Sequence, residues 1–106
     1  MKSLNEGDIL IKIGKNAQEN WELLDTDENY IWMHLNSYPS CHLIIECDNP
    51  SNEMLYLCAL HCKENTKYKK LKNLKICYTT IGNLIKGKEV GSVIFKSKRK
   101  VKYITV

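Results

Sequence analysis

Two histidines and a tryptophan occupy positions from which a β-sheet could present their rings together. Trp32 and His34 alternate along one predicted strand, and His42 lies near the start of the next. Residues two apart in a strand share a face. Such rings could stack on unpaired nucleobases, or His34 and His42 could act as acid and base on RNA. Trp32 could equally be a core residue, because large aromatics dominate small cores. The sequence leaves these interpretations open.

Five cysteines and three histidines supply the ligand types that zinc prefers. Their spacing does not favour a metal site, because no C-x-x-C pair is present and Cys58 and Cys62 lie in an apolar helical stripe. The thiols are more simply interpreted as free cysteines in a reducing compartment. No Cys–His pair is marked out as nucleophile and base, and no P-loop or Rossmann glycine pattern occurs. We therefore expect no metal, no cofactor and no catalytic residue.

The strongest pattern in the sequence is the division of charge between its halves. Residues 1–53 carry three lysines against ten carboxylates, a balance of −7, whereas residues 54–106 carry thirteen Lys or Arg against two carboxylates, a balance of +11. A concentrated positive field favours a polyanionic partner. All thirteen except Arg99 are lysines, which contact phosphate as point charges, so we expect recognition of RNA backbone or shape. The cations expected to contact RNA are Lys69, Lys70, Lys72, Lys98, Arg99 and Lys100.

The elements that must position these side chains indicate one α+β domain over residues 1–106, with one mixed, mostly antiparallel sheet packed against one main helix. Strands are predicted at residues 8–13, 30–35, 41–47 and 74–79, the third being central. Residues 91–96 and 101–106 alternate apolar and polar side chains and are predicted to form a terminal hairpin.

Two helices are predicted beside the sheet. A short N-terminal helix covers residues 16–24, with Asn16 as its N-cap. The main helix runs to about Asn65, with Asn49 as cap and Pro50 in the first helical position. Its sheet-facing stripe is predicted to be Met54, Leu57, Cys58 and His61, widened by Leu55, Ala59 and Cys62.

Nothing in the sequence indicates a membrane partner. The apolar runs are only a few residues long, far short of the roughly 20 residues that span a bilayer. The N-terminal residues lack the apolar segment of a signal peptide. We expect a cytoplasmic protein.

Six segments, in order along the chain, resemble the NFACT-R family, the RNA-binding domain of ribosome-quality-control and fibronectin-binding-like proteins. They are residues 13–20, 29–34 and 39–45, then Tyr78-Thr79, residues 90–93 and residues 102–106. The resemblance implies a free-standing nucleic-acid-binding domain whose partner is tRNA or ribosomal RNA, with a possible place at the ribosome. By matching position, it assigns a shared surface to Lys15, Asn16, Trp32, His34, His42 and Tyr78.

Three hypotheses follow for the function. The first is an RNA-binding module that performs no chemistry. The second is a small RNA-processing or RNA-modifying enzyme that uses His34 and His42. The third is a protein-interaction adaptor whose acidic half, residues 1–53, docks on a basic partner.

Overall fold

The computed structural model describes residues 1–106, which form eight strands, two α-helices and two 3₁₀ turns. The strands are β1 (Lys2–Glu6), β2 (Ile9–Ile13), β3 (Ile31–Leu35), β4 (Leu43–Ile45), β5 (Lys75–Thr80), β6 (Leu84–Lys86), β7 (Val93–Phe95) and β8 (Lys102–Thr105). The helices are α1 (Ala17–Glu22) and α2 (Asn52–Glu64), and the 3₁₀ turns cover Ile81–Asn83 and Lys98–Lys100. None of the helices has the length and apolar character needed to cross a membrane.

The main sheet has six strands in the order β1-β2-β4-β3-β5-β8, and every neighbouring pair is antiparallel. β6 and β7 form a separate two-stranded ribbon. The predicted α+β class, with a sheet packed on one main helix, is confirmed. β4 lies inside the sheet as predicted, and its three residues are all buried.

The two faces of the sheet are covered differently. On one face, alternate residues such as Met33 and Leu43 pack with Cys58 and Cys62 of α2 in the larger core cluster. On the other face, Trp32 and its neighbours pack with Leu23, which follows α1, and with residues of the ribbon in a smaller cluster. Because successive strand residues point to opposite faces, Trp32 belongs to one core while the adjacent Met33 belongs to the other.

The main helix begins later than its sequence predicted. Ser51 is the N-cap, and its side-chain oxygen accepts a hydrogen bond from the Met54 backbone N–H at 3.1 Å. The prediction that Asn49 caps and Pro50 opens the helix was wrong, because Asn49 has φ of 57° and turns the chain before the helix starts. The buried stripe is Leu55, Cys58, Ala59 and Cys62, and the predicted position Leu57 is exposed.

The predicted terminal hairpin was also wrong. β7 pairs with β6, and β8 pairs with β5 at the edge of the main sheet. The buried side chain of Asn83 fixes this crossover, because its amide donates to Ser97 O at 2.9 Å and its oxygen accepts from Ser97 N at 2.9 Å. These bonds hold the segment between β7 and β8 against the start of β6. They keep β7 apart from β8, the two strands whose alternating apolar and polar residues had predicted a hairpin.

The cap assignment gives a test of the α2 boundary. Replacing Ser51 with Ala should lower the free energy of unfolding by about 1 kcal/mol, because the Met54 N–H loses its partner. Asn52→Ala, one residue further on, should change it by less than about 0.5 kcal/mol. Urea unfolding of both variants measures this, and equal stability of Ser51→Ala and the unsubstituted protein would contradict the assignment.

Candidate nucleic-acid interface

A cleft of about 960 Å³ lies between the start of α1, the loop of residues 36–42 and the turn of the ribbon. Trp32, His34 and His42 line it from the sheet, and we call these three rings the aromatic floor. Trp32 and His34 are stacked, with ring centroids 5.6 Å apart and an interplanar angle of 6°. His42 stands edge-on to both, at 5.3 Å from Trp32 and 5.0 Å from His34. Trp32, His34 and His42, whose roles the sequence left open, thus pack against one another as one group.

The first wall of the cleft is positioned by α1. Asn16 caps this helix as predicted, because its Oδ1 accepts from the Glu19 backbone N–H at 2.9 Å. Asn20 Oδ1 accepts from the backbone N–H of His42 at 3.2 Å and so ties the helix to the aromatic floor. A Cβ on Gly14 would collide with that same Asn20 oxygen, so a larger residue there would force the Asn20 side chain to shift.

The second wall is the turn between β6 and β7. Gly91 has φ of +90° and sits so close to Ala17 that a Cβ would meet its backbone at 3.0 Å. The Trp21 indole N–H donates to Ser92 O at 2.8 Å. The ribbon turn therefore packs against α1, and these contacts fix the distance between the two walls of the cleft.

Burial keeps both histidines of the floor uncharged at neutral pH. Desolvation lowers the pKa of His34. For His42, desolvation and then the neighbouring His34 lower the pKa to about 3. Neutral imidazoles cannot act as counter-ions to phosphate, and a pKa of about 3 is far from the value that suits a general acid or base near pH 7.

Two nitrogens of the aromatic floor are buried without a hydrogen-bond partner, namely Trp32 Nε1 and His42 Nδ1. Buried polar atoms of this kind are uncommon in folded proteins and call for an explanation. They are the only buried side-chain nitrogen or oxygen atoms in the protein that lack a partner. The floor therefore has unused hydrogen-bonding capacity beneath the surface of the cleft.

The cations of the second half remain unneutralised by the acidic first half. Among these thirteen side chains, only Lys86 forms a salt bridge, with Asp25 at 3.3 Å. The other salt bridges in the protein involve the N-terminus, Lys12 and His61. Twelve cationic side chains are thus available to an external polyanion.

Five of these cations follow the edge of the main sheet, and we call them the cationic edge: Lys75, Lys98, Arg99, Lys100 and Lys102. Lys98–Lys100 form the turn that leads into β8, and Lys102 pairs in register with Tyr78. Lys75 lies opposite Thr105 at the other end of the same strand pair. At about 3.3 Å per residue, the edge extends over about 20 Å.

One row of side chains connects the aromatic floor to the cationic edge. His34, Cys77 and Tyr103 are register partners on β3, β5 and β8. They therefore share the face that carries the floor. Tyr103 is exposed, and the Lys75 ammonium lies 5.3 Å from its ring centroid. With strands about 4.8 Å apart, Tyr103 stands about 10 Å from His34.

The lysine-rich loop of residues 66–73 reaches the cleft from a different side. Tyr68 of this loop packs against Tyr38 on the cleft wall, with ring centroids 4.6 Å apart. Lys69, Lys70 and Lys72 are exposed on the same loop. This contact joins the loop lysines to the cleft.

The structure brings together some of the predicted site residues and separates others. Lys15, Asn16, Trp32, His34 and His42 all line the cleft. Tyr78 lies on the opposite face, in a groove of about 730 Å³ with Arg99 and Lys100. Trp32 is only 1% exposed, so its interpretation as a core residue is confirmed, and a base cannot stack on its face without displacing neighbours.

Sequence reasoning did not assign three residues of this surface to the site: Asn20, which it missed, and Lys75 and Tyr103, which belong to the basic second half and its interleaved tyrosines. Lys75 and Tyr103 become neighbours only because β8 pairs with β5, and the predicted hairpin had placed β8 elsewhere. Asn20 contributes through one bond to a backbone N–H, which leaves no signal in residue spacing. No three Cys, His, Asp or Glu side chains come together as a metal site would require.

Comparison with known proteins identifies the family. The family model described as NFACT protein RNA binding domain matches residues 2–97. This chain belongs to that family. The NFACT-R expectation drawn from the sequence is thereby confirmed. The family is described as an RNA-binding domain rather than as an enzyme.

A solved structure agrees with the fold of this NFACT-R domain. It is the C-terminal part of the fibronectin/fibrinogen-binding protein from Streptococcus suis, with a TM-score of 0.84 and 24% sequence identity. The match covers 94% of this chain and 41% of that one, so this chain spans less than half the length of that related structure. None of the curated protein sequences matches this chain.

The buried histidines predict a stability that falls in acid. The pKa of His42 is about 3 in the folded protein and about 6.5 in the unfolded chain, so the unfolded chain alone takes up a proton between these values. The free energy of unfolding should therefore drop by about 2 kcal/mol between pH 7.5 and pH 5. Chemical unfolding at both pH values measures this. In His42→Phe the drop should at least halve, and an unchanged drop would contradict the assignment.

Proposed function

We propose that this protein is an NFACT-R module of the cytoplasm that binds tRNA or ribosomal RNA, acts in translation or ribosome quality control, and performs no chemistry. The observation that carries the proposal is the cationic edge, whose five members form no salt bridge. The family description supports RNA as the partner.

The arrangement of the cations favours backbone recognition. Lysines at an exposed strand edge contact phosphate oxygens without reading base sequence. Tyr103 provides an exposed aromatic ring within the cationic edge, and single-stranded nucleic acids bind to grooves that combine such rings with positive charge. The cationic edge and Tyr103 together supply both components of that kind of surface.

Catalysis on RNA by His34 and His42 is disfavoured because burial lowers the pKa of both imidazoles. An imidazole whose pKa is about 3 holds no proton to donate near pH 7. Prolonged incubation of tRNA with the protein should give no cleaved or modified product. Turnover that is lost in His34→Ala would overturn this part of the proposal.

Neutralising the cationic edge should weaken RNA binding in a salt-dependent way. We expect the triple variant K98Q/R99Q/K100Q to bind tRNA more weakly, with the slope of log affinity against log salt reduced in magnitude by about 2, because about 0.7 counterion is released per contacted phosphate. Fluorescence anisotropy between 50 and 300 mM salt measures this slope.

The matched control removes the same charge elsewhere. K63Q/K86Q/K88Q changes one lysine at the end of α2 and two on the ribbon, and its slope should change by less than about 0.7. Equal effects of the two triple variants would show that tRNA binding depends on the total charge of the protein and not on the position of the cationic edge. No binding of tRNA or duplex DNA at 50 mM salt would refute the RNA-binding function itself.

A further inference from the structure

We propose that the cleft above the aromatic floor binds one unpaired nucleobase of the RNA. This inference rests on the proposed function, because the cationic edge must first hold the RNA backbone. It adds a specific requirement, since the RNA must present at least one base outside a stack. The ligand class is thus RNA with an accessible loop, bulge or end.

The chemistry of the cleft differs from that of the cationic edge. Lys15 and Glu89 are the only residues among its lining that carry a charge at neutral pH, because burial lowers the pKa of both histidines. The remaining polar groups are mainly amides and hydroxyls, including four asparagines: Asn16, Asn20, Asn36 and Asn65. A neutral site lined by aromatic and amide groups suits a heteroaromatic base better than a phosphate, which requires positive charge.

The two unpartnered nitrogens are buried in the floor, and a ligand that reached them would need hydrogen-bonding groups of its own. Trp32 and His42 are 1% and 4% exposed, and both line the cleft. The indole N–H is a donor only, and the neutral imidazole nitrogen can donate or accept according to its tautomer. Every nucleobase carries acceptor atoms for the former and complementary groups for the latter. An apolar ligand would leave both nitrogens unpaired.

The cleft lies close to the cationic edge, and the two are connected by a row of side chains on the same face. Tyr103 is about 10 Å from His34 along the row through Cys77. A base in the cleft therefore leaves the next nucleotide of an unstacked strand beside Tyr103 and Lys75, where a ring and an ammonium group are already in contact. A base held within a continuous duplex stack cannot enter the cleft.

The experiment compares an intact single-stranded RNA hexamer with a hexamer of the same sugar-phosphate chain that carries no bases. Both chains offer the same phosphates, so their salt dependence should be similar. For the unsubstituted protein, we expect the intact hexamer to bind about tenfold more tightly, because single base contacts of this kind contribute about that much. Fluorescence anisotropy at 50 and 150 mM salt provides the dissociation constants.

Two matched variants locate the base. Val90→Trp places an indole at the cleft wall, whereas Ile94→Trp places one on the outer side of the ribbon, outside the cleft lining. The two residues are 51% and 57% exposed, so neither substitution disturbs a core. Val90→Trp should reduce the preference for the intact hexamer by about fivefold, which leaves the part supplied by stacking on Tyr103, and Ile94→Trp should retain the full preference. The indole N–H resonance of Trp32 in the unsubstituted protein, which should shift with the intact hexamer only, is a readout independent of both variants.

The outcomes separate the two proposals. If neither hexamer binds at 50 mM salt, the RNA-binding function fails, and the nucleobase site fails with it. If both bind equally, or if Val90→Trp keeps the full preference while the Trp32 resonance is unmoved, the nucleobase site is refuted and backbone binding by the cationic edge stands.

Discussion

The antiparallel pairing of β5 with β3 on one side and with β8 on the other determines which side chains of this protein can act together. This register places His34, Cys77 and Tyr103 in one row on one face, and Tyr78 beside Lys102 on the other. Shifting β8 by one residue would turn Tyr103 toward the opposite face. The link between the aromatic floor and the cationic edge therefore depends on backbone hydrogen bonds rather than on any contact between the functional side chains.

Two kinds of chemistry adjoin at the β8 side of the sheet, where Lys75 shares the face of the aromatic floor and Lys102 lies on the opposite face. The lysine and arginine side chains at the edge are exposed to water. The imidazoles of the floor are desolvated, which lowers the pKa of His42 to about 3 and keeps the ring neutral. A charged edge and a neutral floor thus adjoin, and Glu89 is the one carboxylate in the lining of the cleft. Because the buried imidazoles are neutral, the protein loses stability in acid. Burial also leaves Trp32 Nε1 and His42 Nδ1 without hydrogen-bond partners.

The sequence predicted those parts of the fold that local chemistry determines. Dense apolar runs located β2 to β5 to within a few residues, and Asn16 capped α1 as its residue type suggests. Residues 2–6, which form β1, are too polar to be recognised without their partner β2. The partner of β8 could not be predicted either, because alternation fits either neighbour and the decision rests on the buried amide of Asn83.

The same limit applies to the candidate site. Motif matching brought together Lys15, Asn16, Trp32, His34 and His42, and the structure places all five around one cleft. It also included Tyr78, which lies on the other face. Residue types alone do not reveal the side of a sheet across several strands. The stacking role considered for Trp32 requires an exposed ring, and the packing of Leu23 and the ribbon against this side chain leaves it only 1% exposed.

The most direct test is to map where RNA touches the protein by photocrosslinking with 4-thiouridine RNA and mass spectrometry. Tyr103 and Tyr56 have nearly the same exposure, 53% and 50%. They differ in location, because Tyr103 lies between the aromatic floor and the cationic edge while Tyr56 lies on α2. Crosslinks concentrated at Tyr103 and the cleft wall, with few at Tyr56, are the predicted result. Equal crosslinking of the two tyrosines, or a preference for Tyr56, would contradict the account.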